Sequence, residues 1–527
     1  MTERIQHPLI GTVVGKAENG VAQFLGLKYA SLTDRLSAPQ ICSNYSNVEI
    51  DATKIGPQVV SPPNGCDTEF RLFQQSLPCP TFHISDLHGL HLNITAPIGA
   101  KNLPVLVFIH GGGFAVGSNA WPQYNHARLV NLSVKKGLRI VAVGLNYRLG
   151  VAGFLTSEDL RAQGYKSNNG IRDQRVALQW VRRYIEGFGG NPNEVTLIGQ
   201  SAGAAAILHL QAEDKLFTQL IAMSGTPLAL RPVLPIAAEE TYSHCLEALG
   251  IQNLSPEDQL KEVVHGPMST LWAYIPPAIQ LLPIIDNETV FEGPTYQALH
   301  AGPKEIEAIL PGIRWCRRIL LGDCKSDASI FAPLFASRQP GIASVFYESM
   351  ARSLRSHPNT VKGLVKEYNI TPDNADEVAW RGILEFASDI RFYAPVIALG
   401  DNWVGESYIY HFNEPNPWEG PWKGEANHLM DVVYLFQNFN EKLSPAQQKR
   451  AEQFAEHIVI FVKGKSPYPS RQSNKNGAMV YGGPTGATFV ESATAQGFGR
   501  RDTIFTFAKT VGLDALNEAL IRFLDGK

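Results

Sequence analysis

The sequence carries no long run of a single charge. Lysine and arginine number 46 against 49 aspartates and glutamates, for a net charge of −3. No basic stretch can follow a phosphate backbone, so nucleic acid is excluded as the expected partner. No segment reaches the roughly 18 apolar residues of a membrane-spanning helix. Met1 to Pro8 lacks the apolar core of a secretory signal, and Leu524-Asp525-Gly526-Lys527 fits no lipid-attachment or sorting signal. The expected location is therefore cytoplasmic. Cysteine is scarce, six in 527 residues, and in such a chain these read as free thiols rather than a disulfide framework. Internal repeats, low-complexity stretches and linker-like breaks in composition are absent. One domain, residues 1–527, is more economical than two.

What is present is an ordinary globular composition, 44% apolar and 18% charged, with a clear alternation of patterns. Gly11–Gly15 and Val21–Phe24 flank the turn signal Glu18-Asn19-Gly20 and predict an antiparallel pair. Residues 54–85, rich in Pro, Gly and scattered aromatics, read as a long loop. From 90 to 225, strands at 90–95, 105–109, 139–145 and 195–199 alternate with helices near 121–135, 171–186 and 202–211. That alternation implies a mostly parallel sheet with helices on its faces. Asn93 heads a glycosylation sequon but lies in the strand-like run 90–95, where a glycan would not fit. Further strands are expected at 318–322 and 407–412, helices at 340–400, and a long amphipathic helix at 444–464. Residues 230–300 read as helix and loop.

Two motifs carry chemistry. Gly199-Gln200-Ser201-Ala202-Gly203 fits G-x-S-x-G, the sharp strand-to-helix turn that presents a nucleophilic serine. His110-Gly111-Gly112-Gly113 fits a glycine loop that offers backbone N–H groups to an oxyanion. Each follows an expected buried strand, and that context is what gives the pair weight.

A serine hydroxyl needs a base, and the base needs an orienting carboxylate. In this arrangement the order along the chain is Ser, then Asp or Glu, then His. Of the later histidines, His411 sits inside a strand, His457 on the amphipathic helix and His357 in a plain turn. His428 ends the Gly/Pro/Trp-rich run from Pro415, just past a strand, where a side chain at a sheet rim belongs. It is the expected base. Asp323 and Asp327 both follow the strand 318–322. Spacing gives Asp327 only a modest edge.

The chain resembles the type-B carboxylesterases, the cholinesterase-like branch of the α/β-hydrolase fold. The resemblance runs from about residue 10 to at least 440. It rests on Gly20-Val21, Phe24-x-Gly26-Leu27-x-Tyr29-Ala30, His110 to Phe114, Asn146-Tyr147-Arg148-Leu149-Gly150, Asn169-Gly170-x2-Asp173-Gln174, Phe188-Gly189-Gly190-Asn191-Pro192, the serine motif and Ser224-Gly225. The resemblance implies an α/β-hydrolase fold with helical insertions, with Asp327 as the acid and His428 as the base. It assigns the oxyanion donors to the N–H groups of Gly112, Gly113 and Ala202. It places Ser224 near the triad, where a simple turn serine is an equal reading, and makes Arg148 and Asp173 a structural ion pair.

The departures matter too. Gln200 stands where the family usually has Glu, which removes a negative charge beside the nucleophile. The acid is Asp rather than Glu. The early disulfide of secreted members is missing, its positions falling near Val59 and Gly89. Loop 66–85 holds no tryptophan to bind a quaternary cation.

The expected activity is thus ester hydrolysis through an acyl-enzyme on a small or medium uncharged ester, needing neither metal nor cofactor. The same triad could serve an acyltransferase or thioesterase acting on a metabolite. A silent binding protein would be expected to have lost Ser201. Trp121, Trp272, Phe331, Trp418 and Trp422 are candidates to line the site or to serve as plain packing.

Overall fold

Asn19 and Gly20 both take positive φ, 50° and 81°, which suits the tight hairpin turns that twist with their strands. In the computed structural model, which describes residues 1–45, 49–267, 281–335, 338, 340–483, 486–491 and 502–526, the chain reverses there as expected. The structure opens with β1 (Thr2–His7), β2 (Gly11–Glu18) and β3 (Val21–Lys28), paired antiparallel in sequence. A small separate ladder joins β4 (Ala30–Ser31) and β5 (Gln40–Ile41), while β6 (Ile50–Ala52) runs parallel to β2.

The main sheet continues with β7 (His91–Pro97), β8 (Leu103–Ile109), β9 (Val141–Leu145), β10 (Gly190–Gln200) and β11 (Gln219–Met223). It ends with β12 (Arg318–Cys324), β13 (Glu406–Phe412), β14 (Ala478–Tyr481) and β15 (Thr488–Val490). The order is β1-β2-β3-β7-β9-β8-β10-β11-β12-β13-β14-β15. Every pairing from β9 across to β14 is parallel, and the edges are antiparallel. This is the expected mostly parallel sheet.

The strands serve two cores at once, because side chains alternate between faces. On β8, Val105, Val107 and Ile109 pack on one face, and Leu106 and Phe108 on the other. The helix Asn169–Tyr184 closes the first face through Ile171, Leu178, Trp180 and Val181. The helix Pro445–Val462 closes the second through Phe454, Ile458 and Phe461. A capping box at Ser444 and Gln447, followed by Pro445, starts that second helix. Asn93 is buried within β7, accepting from the Gly26 N–H and donating to the Asn119 carbonyl.

Three expectations change. Residues 54–85 are not loop throughout: Gly65–Phe73 is a helix, with Cys66, Phe70 and Phe73 buried at helical spacing. The segment after Ser201 is helical but in the tighter 3₁₀ form, Ser201–Gln211. At the C-terminal end, β14, β15 and the helices Thr503–Val511 and Leu513–Leu524 extend the fold beyond the elements read from sequence. No described helix is long and apolar enough to cross a membrane.

Candidate active site

The sharpest backbone feature lies where β10 ends. Ser201 has φ of 53°, a left-handed conformation costly for any residue with a Cβ. Its flanking glycines are required by close approach. A Cβ on Gly199 would come within 2.0 Å of the Gly203 carbonyl oxygen, and one on Gly203 within 2.2 Å of the Ile109 oxygen. The turn therefore fits only small residues against β8, and Ser201 stands half-buried at its apex.

The glycine loop after β8 lies against this apex. A Cβ on Gly111 would meet the Gln200 amide oxygen at 2.5 Å and the Ser201 Cβ at 2.9 Å. Gly112 and Gly113 both take positive φ, 100° and 61°. Among the described residues nothing lies within 4 Å of where a Gly113 Cβ would stand. His110 fixes the loop from behind. Its Nδ1 meets the Gly111 carbonyl at 3.0 Å, and its ring stacks on Tyr147 at 4.7 Å. Burial pushes its pKa down to about 4, so it stays neutral. Ala202, the next residue of the elbow, is fully buried.

His428 follows β13 and its loop; Asp327 follows β12. A parallel bridge between Ser326 and Asn427 ties the two loops together. The His428 Nδ1–H donates to Asp327 Oδ1 at 2.7 Å, and the Cys324 N–H holds Oδ2 at 2.7 Å. Both side chains are buried. Burial raises the Asp327 carboxyl, and His428 opposes that rise. With Nδ1 carrying the proton, Nε2 is left as an acceptor. The Gln200 side-chain N–H donates to it at 3.1 Å. The His428 ring is thus held at the elbow, with the amide beside Ser201 on its Nε2 lone pair. In structures without substrate such contacts are often looser than in the reacting complex.

Ser224 is no plain turn serine. It takes φ of 46°, and its hydroxyl donates to Asp431 Oδ2 at 3.4 Å and contacts the Cys324 sulfur at 3.5 Å. Tyr410 donates to the same carboxylate oxygen at 2.7 Å. Burial, with Asp327 nearby, pushes Asp431 up to about 6. Arg148 and Asp173 form the expected buried pair, with two parallel bonds of 2.8 and 2.7 Å, and Arg148 also reaches the carbonyls of Arg35 and Ser37. They anchor the scaffold and share none of the hydrogen bonds that join Asp327, His428 and Gln200.

The aromatic candidates separate. Trp418 donates to the Lys442 carbonyl and packs on Phe439, as a core residue would. Trp422 stacks on Trp380 and Trp121 on Tyr124. Phe331 is half-buried beside Phe392. Trp272 lies outside the described residues.

Two residues near His428 were missed from sequence. Phe392, on a π-helical turn Asp389–Tyr393, sets its ring 5.6 Å from that of His428. Glu69, on the helix Gly65–Phe73, is buried, accepts from the Gln123 amide at 2.9 Å and feels the charge of His428. Burial pushes its carboxyl up to about 7. That helix is bound to the histidine loop, because Asn427 and Asn416 donate to the carbonyls of Leu72 and Phe73. The apolar spacing of Cys66, Phe70 and Phe73 was the available signal.

Comparison with known proteins places the chain in a family. Residues 2–480 match the model of a family described as the carboxylesterase family. A lipase 3 of Yarrowia lipolytica is 28% identical over 88% of this chain and 89% of its own. A para-nitrobenzyl esterase of Bacillus subtilis is 29% identical over 85% of this chain and 86% of its own. A crystal structure of a Geobacillus stearothermophilus carboxylesterase superposes with a TM-score of 0.72 at 23% identity, covering 92% of this chain and 97% of that one, a likeness of fold.

Proposed function

The chain belongs to the carboxylesterase family and is a carboxylic ester hydrolase, and from that premise we propose that Ser201, His428 and Asp327 carry the reaction through an acyl-enzyme on a small or medium uncharged ester. What carries this reading is the 2.7 Å contact of His428 with Asp327, with the other ring nitrogen 3.1 Å from Gln200, the residue before Ser201.

His428 Nε2 takes the Ser201 proton as Oγ attacks the ester carbonyl carbon. The Gln200 amide gives up its place on Nε2 to the hydroxyl. Charge gathers on the carbonyl oxygen, where the N–H groups of Gly112, Gly113 and Ala202 donate to it. Such preorganised donors are usually the largest single contribution to the rate. Asp327 holds the tautomer and stabilises the imidazolium. The alcohol leaves with the proton from Nε2. Water deprotonated by the same nitrogen then releases the acid from Ser201.

The uncharged substrate class rests on Gln200, a neutral amide beside the nucleophile. We also treat residues 1–527 as one domain in the cytoplasm. Support comes from a main sheet whose strands extend from Thr2 to Val490 and from six cysteines that are all thiols.

The test is hydrolysis of p-nitrophenyl esters from acetyl to decanoyl by the wild type and by Ser201→Ala. Turnover that is lost in the variant, with a fluorophosphonate labelling Ser201 in the wild type, is the expected result. Turnover that survives in Ser201→Ala would overturn the assignment. The chain-length optimum sizes the acyl pocket.

A further inference from the structure

Of the six thiols, the sulfurs of Cys66 and Cys79 stand 3.6 Å apart. No other two cysteines among the described residues are in such contact. The remaining four are half-buried or buried. Cys66 sits in the first turn of the helix Gly65–Phe73 and is buried; Cys79 is exposed. Pro78 and Pro80 flank Cys79, so its backbone is stiff and its sulfur is presented rather than free to wander. A disulfide needs its sulfurs about 2.05 Å apart, so closure asks for a shift of about 1.5 Å from the exposed partner.

We infer that Cys66 and Cys79 are an oxidative modification site, which a low-molecular-weight disulfide such as glutathione disulfide converts into an intramolecular disulfide across the helix beside the active site. The chemistry is two exchanges. The Cys79 thiolate, the accessible one, attacks the glutathione disulfide, forms a mixed disulfide and expels one glutathione thiolate. The Cys66 sulfur, already in contact, attacks Cys79 and expels the second. Two protein thiols are oxidised, one glutathione disulfide is reduced to two glutathiones, and the two thiol protons pass to them.

Burial raises both thiols, Cys66 far more than Cys79. The pair therefore rests as thiols and waits for an oxidant. Closure also has a local consequence. The Cys66 S–H donates to the Gln123 amide oxygen, and the Gln123 N–H holds Glu69. Oxidation removes the first of these bonds. It also ties down the start of a helix whose end is already held by Asn416 and Asn427.

The test is incubation of the whole protein with glutathione disulfide, alkylation under denaturing conditions and peptide mapping. Expected is loss of two of the six alkylatable thiols, a linked peptide pair containing Cys66 and Cys79, and full reversal by dithiothreitol. Closure of so short a loop should also raise Tm by about 3 °C. Cys79→Ser, a change at an exposed position, should lose no thiol and show no rise. Retention of all six thiols, a glutathione adduct that persists on Cys79, or a link to another cysteine would each overturn the inference. Because none of these readouts is ester turnover, failure here leaves the hydrolase reading untouched.

Discussion

Asp327 and His428 share a hydrogen bond of 2.7 Å, while Asp323 and His411, the next Asp–His pair back along the same two segments, share one of 2.5 Å. Both pairs are buried. They differ in what holds them and what they face. Asp323 and His411 are register partners inside the β12–β13 ladder, with Tyr393 against the imidazole at 5.5 Å. Asp327 lies just past the end of β12 and His428 in the long loop that follows β13, the two joined by the Ser326–Asn427 bridge. There the second ring nitrogen meets the residue before Ser201. The same two groups thus brace a sheet in one setting and, in the proposed mechanism, orient a base in the other. A dyad gains a chemical role from what its free nitrogen can reach, and loops at strand ends supply that reach.

The largest expected effect separates the two pairs directly. His428→Gln and Asp327→Asn should each lower kcat by about 10⁴-fold or more, with the protein still folded. His411→Gln should leave kcat within about tenfold, because its pair does not touch the reacting atoms. Turnover per site, counted by fluorophosphonate labelling of the wild type, measures this. A loss in His411→Gln equal to that in His428→Gln would collapse the distinction.

Glu69 sharpens the contrast next, since it is a further carboxylate on the His428 side. Its folded pKa is about 7, whereas an unfolded glutamate ionises near 4.3. The folded state keeps a proton that the unfolded chain has released, so stability falls as pH rises through that window. Above about pH 7 the loss is complete. A glutamine at 69 keeps the bond from Gln123 without that cost. Glu69→Gln should therefore gain on wild type by about 3.5 kcal/mol at pH 8 and by about 1 kcal/mol at pH 5. Urea midpoints at the two pH values decide it, and equal gains would refute the raised pKa.

Breaking the sheet-bracing pair comes third. Asp323→Asn replaces a charged acceptor of His411 by an amide inside the ladder. The expected cost is about 2 kcal/mol of stability, read from the urea midpoint at pH 7, with kcat little changed. No change in stability would mean that the pair does not brace the sheet.

These contrasts also mark what the sequence could tell. The elbow was legible because Ser201 must take a positive φ against β8 and only glycines fit at 199 and 203. The strands of the sheet core were legible because burial on both faces leaves long apolar runs. His411 was rightly set aside as a strand residue, but its pairing with Asp323 was invisible. Cross-strand partners depend on which strands the fold brings together, not on neighbours in sequence. That is also why spacing alone left Asp323 and Asp327 so close. The helix Gly65–Phe73 was hidden by the prolines and glycines around it, and Glu69 was hidden with it. Phe392 depends on a π-helical turn, whose extra residue per turn shifts a face in a way no regular period reveals.

Gln200 offers the smallest effect and the most specific. Among the described residues it is the one that hydrogen-bonds His428 Nε2 and also adjoins Ser201. Its amide oxygen is buried without a partner among the described residues, beside Gly111. A glutamate there would put a negative charge where substrate alcohol groups and the imidazolium both gather. The Coulombic gain for a cationic substrate, taken through a high effective dielectric constant, is of the order of 1 kcal/mol. Gln200→Glu should therefore raise kcat/KM for a choline ester relative to its uncharged 3,3-dimethylbutyl isostere by about fivefold. Because residue 200 is buried, the gain should change little as salt rises from 0.02 to 0.5 M. An unchanged ratio would show that the charge at 200 does not set substrate preference, and that the neutral elbow serves only to hold the base between turnovers.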